Sequence, residues 1–305
     1  MELQRLIDTF SIPGMLGFSA SESGLLRAQI TTPVCTAELY LQGAHLTAWQ
    51  PAGFEPVIFV SERSPYAEGK AIRGGVPIIF PWFGARTATP SSQRTDGPAH
   101  GFARTSPWEL TFAALAGDDL HLTLGLGASE ASRALGYDNF QLAFEFVLGR
   151  ELLMRLTVAN QGNAPLHFEE ALHTYFTVGD ATEVTLNGLA DTEFIDKTDG
   201  FKRKTQTAPV LQLSGETDRL FLNTTAAVTL DDPSLQRRIT VAKANSNSTV
   251  IWNPWSALSG KMADMTPDNW RKMVCIETVN ASDNAITLPP GAAHSMEARI
   301  TLEAL

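Results

Sequence analysis

An alternation of apolar and polar side chains with a period of two residues constrains this chain most. In four stretches, 120–126, 140–148, 154–158 and 296–302, every second residue is apolar. Such alternation is typical of β-strands with one buried face, because successive side chains of a strand point to opposite sides. We therefore expect these stretches to form strands that cover a core.

Turn-forming sequences such as Asn187-Gly188 and Pro289-Pro290-Gly291 separate the apolar stretches. Many short strands at nearly regular spacing indicate a β-sandwich, and the lack of βαβ alternation argues against a Rossmann fold or a TIM barrel. No internal repeat or long linker divides the chain. We predict an all-β antiparallel fold in a single domain over 1–305, with a short amphipathic helix at about 1–10.

The charge balance excludes several kinds of partner. The chain has 305 residues, with 23 Lys and Arg against 33 Asp and Glu, and a formal net charge of −10. We therefore expect no nucleic-acid partner and no binding to anionic membranes, and no segment reaches the ~20 apolar residues of a membrane span.

The start of the chain lacks a signal-peptide pattern, and the two cysteines, Cys35 and Cys275, have no metal or redox spacing. We expect a cytoplasmic monomer.

Three irregular segments, 71–108, 168–176 and 252–277, interrupt the strand pattern and contain the unusual residues. The first has four arginines and one acidic residue. Positive charge concentrated in an acidic protein indicates an anion site, although solvated loop arginines are common. The segments also hold Trp82, Trp252 and Trp255, whose rings can either stack on a sugar or fill the core.

His173 and Glu277 are candidates for proton transfer, because imidazole and a tuned carboxylate both exchange protons near neutral pH. Each residue also has a purely structural interpretation. His173 can be a buried core histidine, and Glu277 can be the solvated end of a strand. Glu170 and His173 have the E-x-x-H spacing of di-iron helices, but a single copy in a strand context does not make such a site. No zinc, nucleophile-elbow, phosphate-loop or dinucleotide motif occurs. We predict no metal and no cofactor.

Several ordered motifs give a more specific indication: RGGVPIIFPWFG at 73–84, HGFAR at 100–104, LHTYF at 172–176 and WNPW at 252–255. With ETDR at 216–219, they resemble the glucose-6-phosphate 1-epimerases of the aldose 1-epimerase superfamily. The resemblance runs from about Tyr40 to the C-terminus. It implies a galactose-mutarotase-like antiparallel β-supersandwich, and an isomerase that interconverts the α and β anomers of a hexose 6-phosphate.

The resemblance also implies roles for six residues. His173 would protonate the ring oxygen and Glu277 would take the proton of the C1 hydroxyl, from opposite sides of the ring. For this His173 must start protonated and Glu277 ionised, a state that their proximity would favour. The other four residues would bind the substrate: His100 near the ring oxygen, Asp218 at the hydroxyls, and Arg73 and Arg104 at the sugar and its phosphate.

Two further positions bear on the phosphate site. Guanidinium groups can donate two parallel hydrogen bonds to phosphate oxygens, so the arginines favour a phosphorylated substrate. Lys261 is expected to assist them. Ala99 replaces a glutamine found in some relatives, so its contact is lost or is supplied by Gln93 or a water.

Three alternatives remain open at this point. One is an aldose 1-epimerase for unphosphorylated sugars, and another is a sugar-phosphate-binding protein without catalysis, because a fold alone does not determine function. The third is a glycoside hydrolase that uses Glu277 and Asp218 as its two carboxylates.

Overall fold

Strands dominate the structure, a computed structural model that describes residues 2–89 and 92–305. The strands are β1 (Leu16–Ala20), β2 (Leu26–Thr31), β3 (Cys35–Tyr40), β4 (His45–Pro51), β5 (Ile78–Ile79), β6 (Glu109–Ala116), β7 (Asp119–Gly127), β8 (Phe140–Leu148), β9 (Leu152–Asn160), β10 (Leu166–Phe168), β11 (Glu170–Leu172), β12 (Tyr175–Thr177), β13 (Thr185–Asn187), β14 (Glu193–Asp196), β15 (Lys202–Thr205), β16 (Leu211–Gln212), β17 (Thr217–Phe221), β18 (Val228–Asp232), β19 (Arg237–Ala244), β20 (Ser248–Asn253), β21 (Met273–Asn280), β22 (Ile286–Leu288) and β23 (Ala293–Ala304).

The helices are short. They are α1 (Leu3–Phe10), α2 (Glu130–Ala134) and α3 (Trp255–Ser259), with 3₁₀ turns at Ala103–Thr105, Lys197–Asp199, Asn269–Lys272 and Ser282–Asn284. No helix in the described part of the chain is long and apolar enough to cross a membrane. The predicted N-terminal helix is confirmed: Leu6 is fully buried, and Leu3, Ile7 and Phe10 pack against the core beside it. Met1 lies outside the described residues.

A nine-stranded antiparallel sheet, in the order β16-β13-β18-β19-β23-β9-β8-β7-β6, contains all four alternating stretches. Their apolar residues are buried as predicted, and along β7, β8 and β9 every second residue is buried. Leu302 is the exception, being only partly buried. The pairing of β23 with β9 ends at Ile300, so beyond it β23 has a neighbour on one side only.

An eight-stranded antiparallel sheet has the order β15-β14-β17-β20-β21-β11-β5, with β12 also paired to β21. Its two faces differ. Val274 and Ile276 of β21 belong to the large core that includes the nine-stranded sheet. Cys275 and Val279, on the other face of β21, belong to two separate small apolar clusters. Alternation along β21 therefore directs one set of side chains to the core and the other to the outer face.

Two smaller sheets complete the fold: β1-β2-β3-β4 and the pair β10-β22. The four-stranded sheet contributes Leu16, Ile30, Leu39 and Trp49 to the large core. The observed architecture is the predicted one, antiparallel sheets packed around a continuous apolar interior.

A buried polar contact joins the two large sheets. Glu170 of β11 is fully buried, and its Oε1 lies 2.9 Å from Nε2 of His294 on β23. The side-chain amide of Asn280 donates to the same oxygen at 2.9 Å. The hydrogen bond with Glu170 raises the pKa of His294, against the opposing effect of burial.

We expect this contact to make stability depend on pH. A raised folded-state pKa means that the contribution of His294 is fully present below its unfolded pKa of about 6.5 and is lost as the pH rises through the folded value. His294→Gln should lower the free energy of unfolding by about 1 kcal/mol at pH 6 and by less at pH 9, measured by urea denaturation. His121→Gln, at a histidine with no ion pair among the described residues, is the control. Equal losses at both pH values would contradict the expectation.

Candidate active site

The site is centred on a short interruption between β11 and β12, both of which pair with β21. The register with β21 is the same on either side of the interruption, so His173 lies opposite Glu277. Residues directly opposite in an antiparallel pair have their side chains on the same face and close together. Accordingly, Nε2 of His173 is 3.3 Å from Oε1 of Glu277.

This distance corrects the expectation that the two residues act from opposite sides of the sugar ring. No ring fits between atoms 3.3 Å apart. His173 and Glu277 can instead approach the same edge of a pyranose, where the ring oxygen and O1 are neighbours because both are bonded to C1. One proton donor and one acceptor at that edge are what ring opening requires.

The segment 73–79 lies beside the interruption and holds it in place. The backbone N–H of His173 donates to the carbonyl of Pro77, and that of Tyr175 donates to the carbonyl of Gly75, both at 3.0 Å. Gly75 has φ of +70°, and a Cβ there would overlap the ring of His45 and the backbone of Leu46. Only glycine fits this close approach, which explains part of the glycine-rich motif.

Aromatic rings enclose His173 on two sides. The ring of Tyr175 stacks on it with centroids 4.9 Å apart and planes 12° apart, and Trp252 meets it edge-on at 6.0 Å. The side chain of His173 is 10% exposed and that of Glu277 is 1% exposed. Nδ1 of His173 and Oε2 of Glu277 are buried without a hydrogen-bond partner.

Burial controls the protonation of this pair. It lowers the pKa of His173 well below the usual value, and the nearby charges of His100, Arg104 and Arg73 lower it further. Burial also raises the pKa of Glu277 well above its usual range, while the positive charge of Lys197 acts in the opposite direction. Burial therefore opposes the charged form of both residues, whereas the expectation was that their proximity would favour a protonated His173 and an ionised Glu277.

His100 lies above His173, with ring centroids 5.7 Å apart. The backbone N–H of Gly84 donates to Nδ1 of His100 at 3.2 Å, so a neutral His100 carries its proton on Nε2. Burial, followed by the charges of Arg104, Lys197 and Arg73, lowers the pKa of His100 to about 3. His100 can therefore act as a neutral hydrogen-bond donor.

The turn that places His100 needs unusual backbone angles. His100 has φ of +65° and the following Gly101 has φ of +70°. A Cβ on Gly101 would overlap the carbonyl of Phe80, so this position also requires glycine. The turn leads directly into the 3₁₀ turn Ala103–Thr105, which carries Arg104.

Arg73 and Arg104 lie near each other on the His173 side of the site. Nε of Arg73 donates to Oδ2 of Asp264 and its Nη1 donates to the Tyr175 hydroxyl, both at 3.0 Å. Arg104 has no carboxylate partner in the described structure: its Nη2 donates to the carbonyl of Ala99 at 2.8 Å, and its Nε is buried and unpaired. Burial, together with Arg73, lowers the pKa of Arg104.

The backbone contact at Ala99 does not depend on the residue type there. Gln93, considered as a replacement for the missing glutamine, instead donates to the backbone of Thr89 at 3.4 Å in an exposed loop. Lys261, expected to assist the phosphate site, is exposed and has no ion pair within residues 2–89 and 92–305.

The four arginines of the basic segment do not form one cluster. Arg94 forms an exposed two-point contact with Asp96. Arg86 is buried over the ring of Trp82, 4.6 Å from its centroid, and donates to two backbone carbonyls. Two cavities of about 350 and 280 Å³ adjoin Arg86, and none of the six predicted site residues lines either.

Asp218 lies on the Glu277 side of the site together with a residue that the sequence did not single out. Nζ of Lys197 is 3.1 Å from Oδ1 of Asp218 and lies 4.4 Å from the centroid of the Phe83 ring. Asp218 pairs across the sheet with Trp252, whose next partner is Cys275 of β21. Lys197 follows the end of β14 in a turn, and nothing in its local sequence separates it from other lysines.

Only one of the three candidate sugar-stacking tryptophans lies at the site. Trp252 contacts His173 and Tyr175 edge-on. Trp82 is buried among Phe102 and Tyr137 in the core. Trp255 packs against Trp270 with ring centroids 4.3 Å apart.

The structure thus brings all six predicted residues to the outer face of one sheet. The same face groups possible metal ligands, because donor atoms of His173, Cys275 and Glu277 lie within 4.8 Å of one another. No cofactor-binding motif accompanies them in the sequence.

Comparison with known proteins identifies the family. The family model for aldose 1-epimerase matches residues 27–301. A protein of Escherichia coli named "Putative glucose-6-phosphate 1-epimerase" is 38% identical over 262 residues, which are 86% of this chain and 85% of that protein.

Solved structures agree on the fold. The crystal structure of a "putative mutarotase" from Salmonella typhimurium is 32% identical, with a TM-score of 0.89 over 97% of this chain and 96% of that one. A galactose mutarotase-like protein from Clostridium acetobutylicum, 15% identical, has a TM-score of 0.70 over 95% of this chain and 98% of that one, a likeness of fold alone. The predicted galactose-mutarotase-like fold is confirmed, and the chain belongs to the aldose 1-epimerase family.

Proposed function

We propose that this protein interconverts the α and β anomers of a hexose 6-phosphate, with glucose 6-phosphate as the preferred substrate. The observation that carries the proposal is the buried His173–Glu277 pair, 3.3 Å apart. The guanidinium of Arg104, which has no carboxylate partner among the described residues, lies nearby. The name of the Escherichia coli relative, "Putative glucose-6-phosphate 1-epimerase", supports the choice of substrate.

The reaction needs two proton transfers and no external reactant. Glu277 takes the proton from O1 while His173 gives a proton to the ring oxygen, and the bond between C1 and the ring oxygen breaks to leave an open-chain aldehyde. Rotation about the C1–C2 bond presents the other face of the carbonyl. Closure then reverses both transfers and restores the two side chains, so the enzyme is unchanged after each turnover.

The arrangement of charges fits the position of the phosphate. In a pyranose the ring oxygen is bonded to C5, and C5 carries the C6 phosphate, so the phosphate lies on the ring-oxygen side. Burial lowers the pKa of His173, the proposed acid, and Arg104 and Arg73 lower it further. A bound phosphate would offset these two positive charges. It would thereby favour the protonated form of His173 that the reaction requires.

On the Glu277 side of the site, Lys197 and Asp218 are suited to form hydrogen bonds with the sugar hydroxyls. Their side chains are 20% and 28% exposed, so both can reach a bound ligand. The pair offers a donor and an acceptor 3.1 Å apart, a spacing suited to neighbouring hydroxyl groups. His100 supplies a further donor from its Nε2.

The rate of anomer exchange tests the proposed function. Magnetisation transfer in NMR should show faster α/β exchange of glucose 6-phosphate when the protein is added, with free glucose and galactose accelerated far less. Acceleration of the free sugars alone would favour the unphosphorylated alternative. Binding without acceleration would favour the non-catalytic one, and hydrolysis of a nitrophenyl glycoside would reveal a hydrolase.

Loss of either proton-transfer group should reduce turnover strongly. His173→Asn and Glu277→Gln should each lower kcat by about 10²–10⁴-fold, because each removes one of the two transfers and leaves a polar side chain in place. The same NMR assay on folded protein measures the effect. His121→Asn, outside the site on β7, is the matched control, and near-normal turnover of either site variant would refute the assignment.

Arg104 should distinguish phosphorylated from free sugars. Arg104→Ala should raise KM for glucose 6-phosphate at least tenfold, because a charge-assisted contact is worth about 1.5–3 kcal/mol, and should change KM for free glucose little. Arg94→Ala, an exposed arginine of the same segment that binds Asp96, is the control. An equal effect of Arg104→Ala on both sugars would be incompatible with phosphate contact.

A further inference from the structure

Cys275 is a group at the site that the proposed reaction does not use. Its Sγ lies within 4.8 Å of donor atoms of His173 and Glu277, and all three residues are buried. Among residues 2–89 and 92–305, no other set of three His, Cys, Asp or Glu side chains is grouped in this way. The grouping is therefore a specific feature of this face.

Strand pairing explains why the three side chains converge. Cys275 and Glu277 are two residues apart on β21, so they share a face. His173 lies opposite Glu277, and Tyr175 pairs with Cys275. The three residues therefore occupy three of the four positions formed by two adjacent pairs of residues on two hydrogen-bonded strands.

The donor set matches zinc. Zn²⁺ takes imidazole nitrogen, thiolate sulfur and carboxylate oxygen as ligands, and open zinc sites use three protein ligands with a fourth position left for a small molecule. Tetrahedral bonds of that kind place neighbouring ligand atoms about 3.3 Å apart for nitrogen and oxygen, the separation of His173 Nε2 and Glu277 Oε1. Mg²⁺ and Ca²⁺ prefer oxygen ligands, of which this set has one residue.

Unpaired atoms add an independent indication. Glu277 is 1% exposed, and its Oε2 is buried without a partner, so a cation would satisfy a polar group that is otherwise costly to bury. Nδ1 of His173 is also unpaired, whereas the ligating histidines of resident zinc sites usually donate from the second nitrogen. Arg73 and Arg104 add positive charge nearby. The unpaired Nδ1 of His173 and the nearby positive charges indicate reversible binding of a cation, not a resident metal.

We propose that His173, Cys275 and Glu277 form a reversible inhibitory site for Zn²⁺. On binding, the Cys275 thiol and the Glu277 carboxyl each lose a proton to solvent, and the thiolate, the imidazole and the carboxylate then donate to the cation. The cation then binds His173 and Glu277, the two groups that move protons in the proposed reaction. Zn²⁺ should therefore compete with the sugar phosphate. Metal binding itself does not depend on the proposed function, whereas the inhibition does.

Cobalt spectroscopy tests the site without reference to activity. Co²⁺ added to the chelator-treated full-length protein should give a thiolate-to-cobalt charge-transfer band in the near ultraviolet, and Zn²⁺ should abolish it. Cys275→Ser should eliminate the band, while Cys35→Ser, at the other buried cysteine on β3, should retain it. Absence of the band in the unaltered protein, or its persistence in Cys275→Ser, would overturn the proposal.

A second ligand gives an independent measurement where Cys275→Ser fails to fold. His173→Asn should raise the dissociation constant for Co²⁺ by about tenfold or more. Losses of this size follow even the mutation of a residue that only orients a metal ligand. An unchanged dissociation constant would show that the cation binds elsewhere and would overturn the proposal.

The activity measurement connects the site to catalysis. Zn²⁺ should slow anomer exchange of glucose 6-phosphate, an excess of substrate should relieve the inhibition, and a chelator should reverse it. Cys275→Ser should keep turnover near that of the unaltered protein but need at least tenfold more Zn²⁺ for half inhibition; equal zinc sensitivity would overturn the inhibitory role. A protein that shows the Cys275-dependent cobalt band but no anomer exchange would retain the cation site and lose the proposed function.

Discussion

The register of β21 against β11 and β12 is the constraint on which the rest of the site depends. Because side chains alternate, a slip of one residue would turn Glu277 into the core and bring Ile276 to the outer face. The apolar residues Val274 and Ile276 prevent this, since their burial in the large core fixes which face the other residues occupy. The position of Glu277 opposite His173 is thus determined by hydrophobic burial on the other side of β21.

Burial then determines how the pair behaves. A carboxyl group that is 1% exposed is costly to ionise, and the imidazole opposite it is surrounded by positive charges. Burial therefore disfavours the charged form of both side chains, and under the proposed function a bound phosphate would offset the positive charges around His173. In an acidic protein of net charge −10, Arg73, Arg104 and Lys197 place positive charge locally beside His100.

Much of the fold was predictable from the sequence because alternation directly reports which face of a strand is buried. The long strands β7, β8, β9 and β23 and the helix α1 follow from the pattern. The convergence of His173 and Glu277 was available only from the family resemblance. It depends on the pairing of strands about 100 residues apart, which no local pattern encodes.

The errors have equally physical causes. The sequence shows that the four arginines are close along the chain. It does not show that Arg94 binds Asp96 or that Arg86 packs on the ring of Trp82, so that neither joins Arg104. Lys197 was missed because a lysine in a turn gives no signal until Asp218 is placed beside it. The protonation of the pair was predicted from proximity alone, which leaves out the cost of burial.

The two faces of β21 also bear on how such proteins can diverge. Residues that pack the core and residues that face a ligand alternate along one strand, so a substitution on the outer face can alter binding while the interior stays intact. The scaffold is correspondingly tolerant: the Clostridium acetobutylicum protein keeps the fold at 15% identity. Selection on substrate and selection on stability therefore act on interleaved but separate positions, and new specificities can arise in this fold without rebuilding its interior.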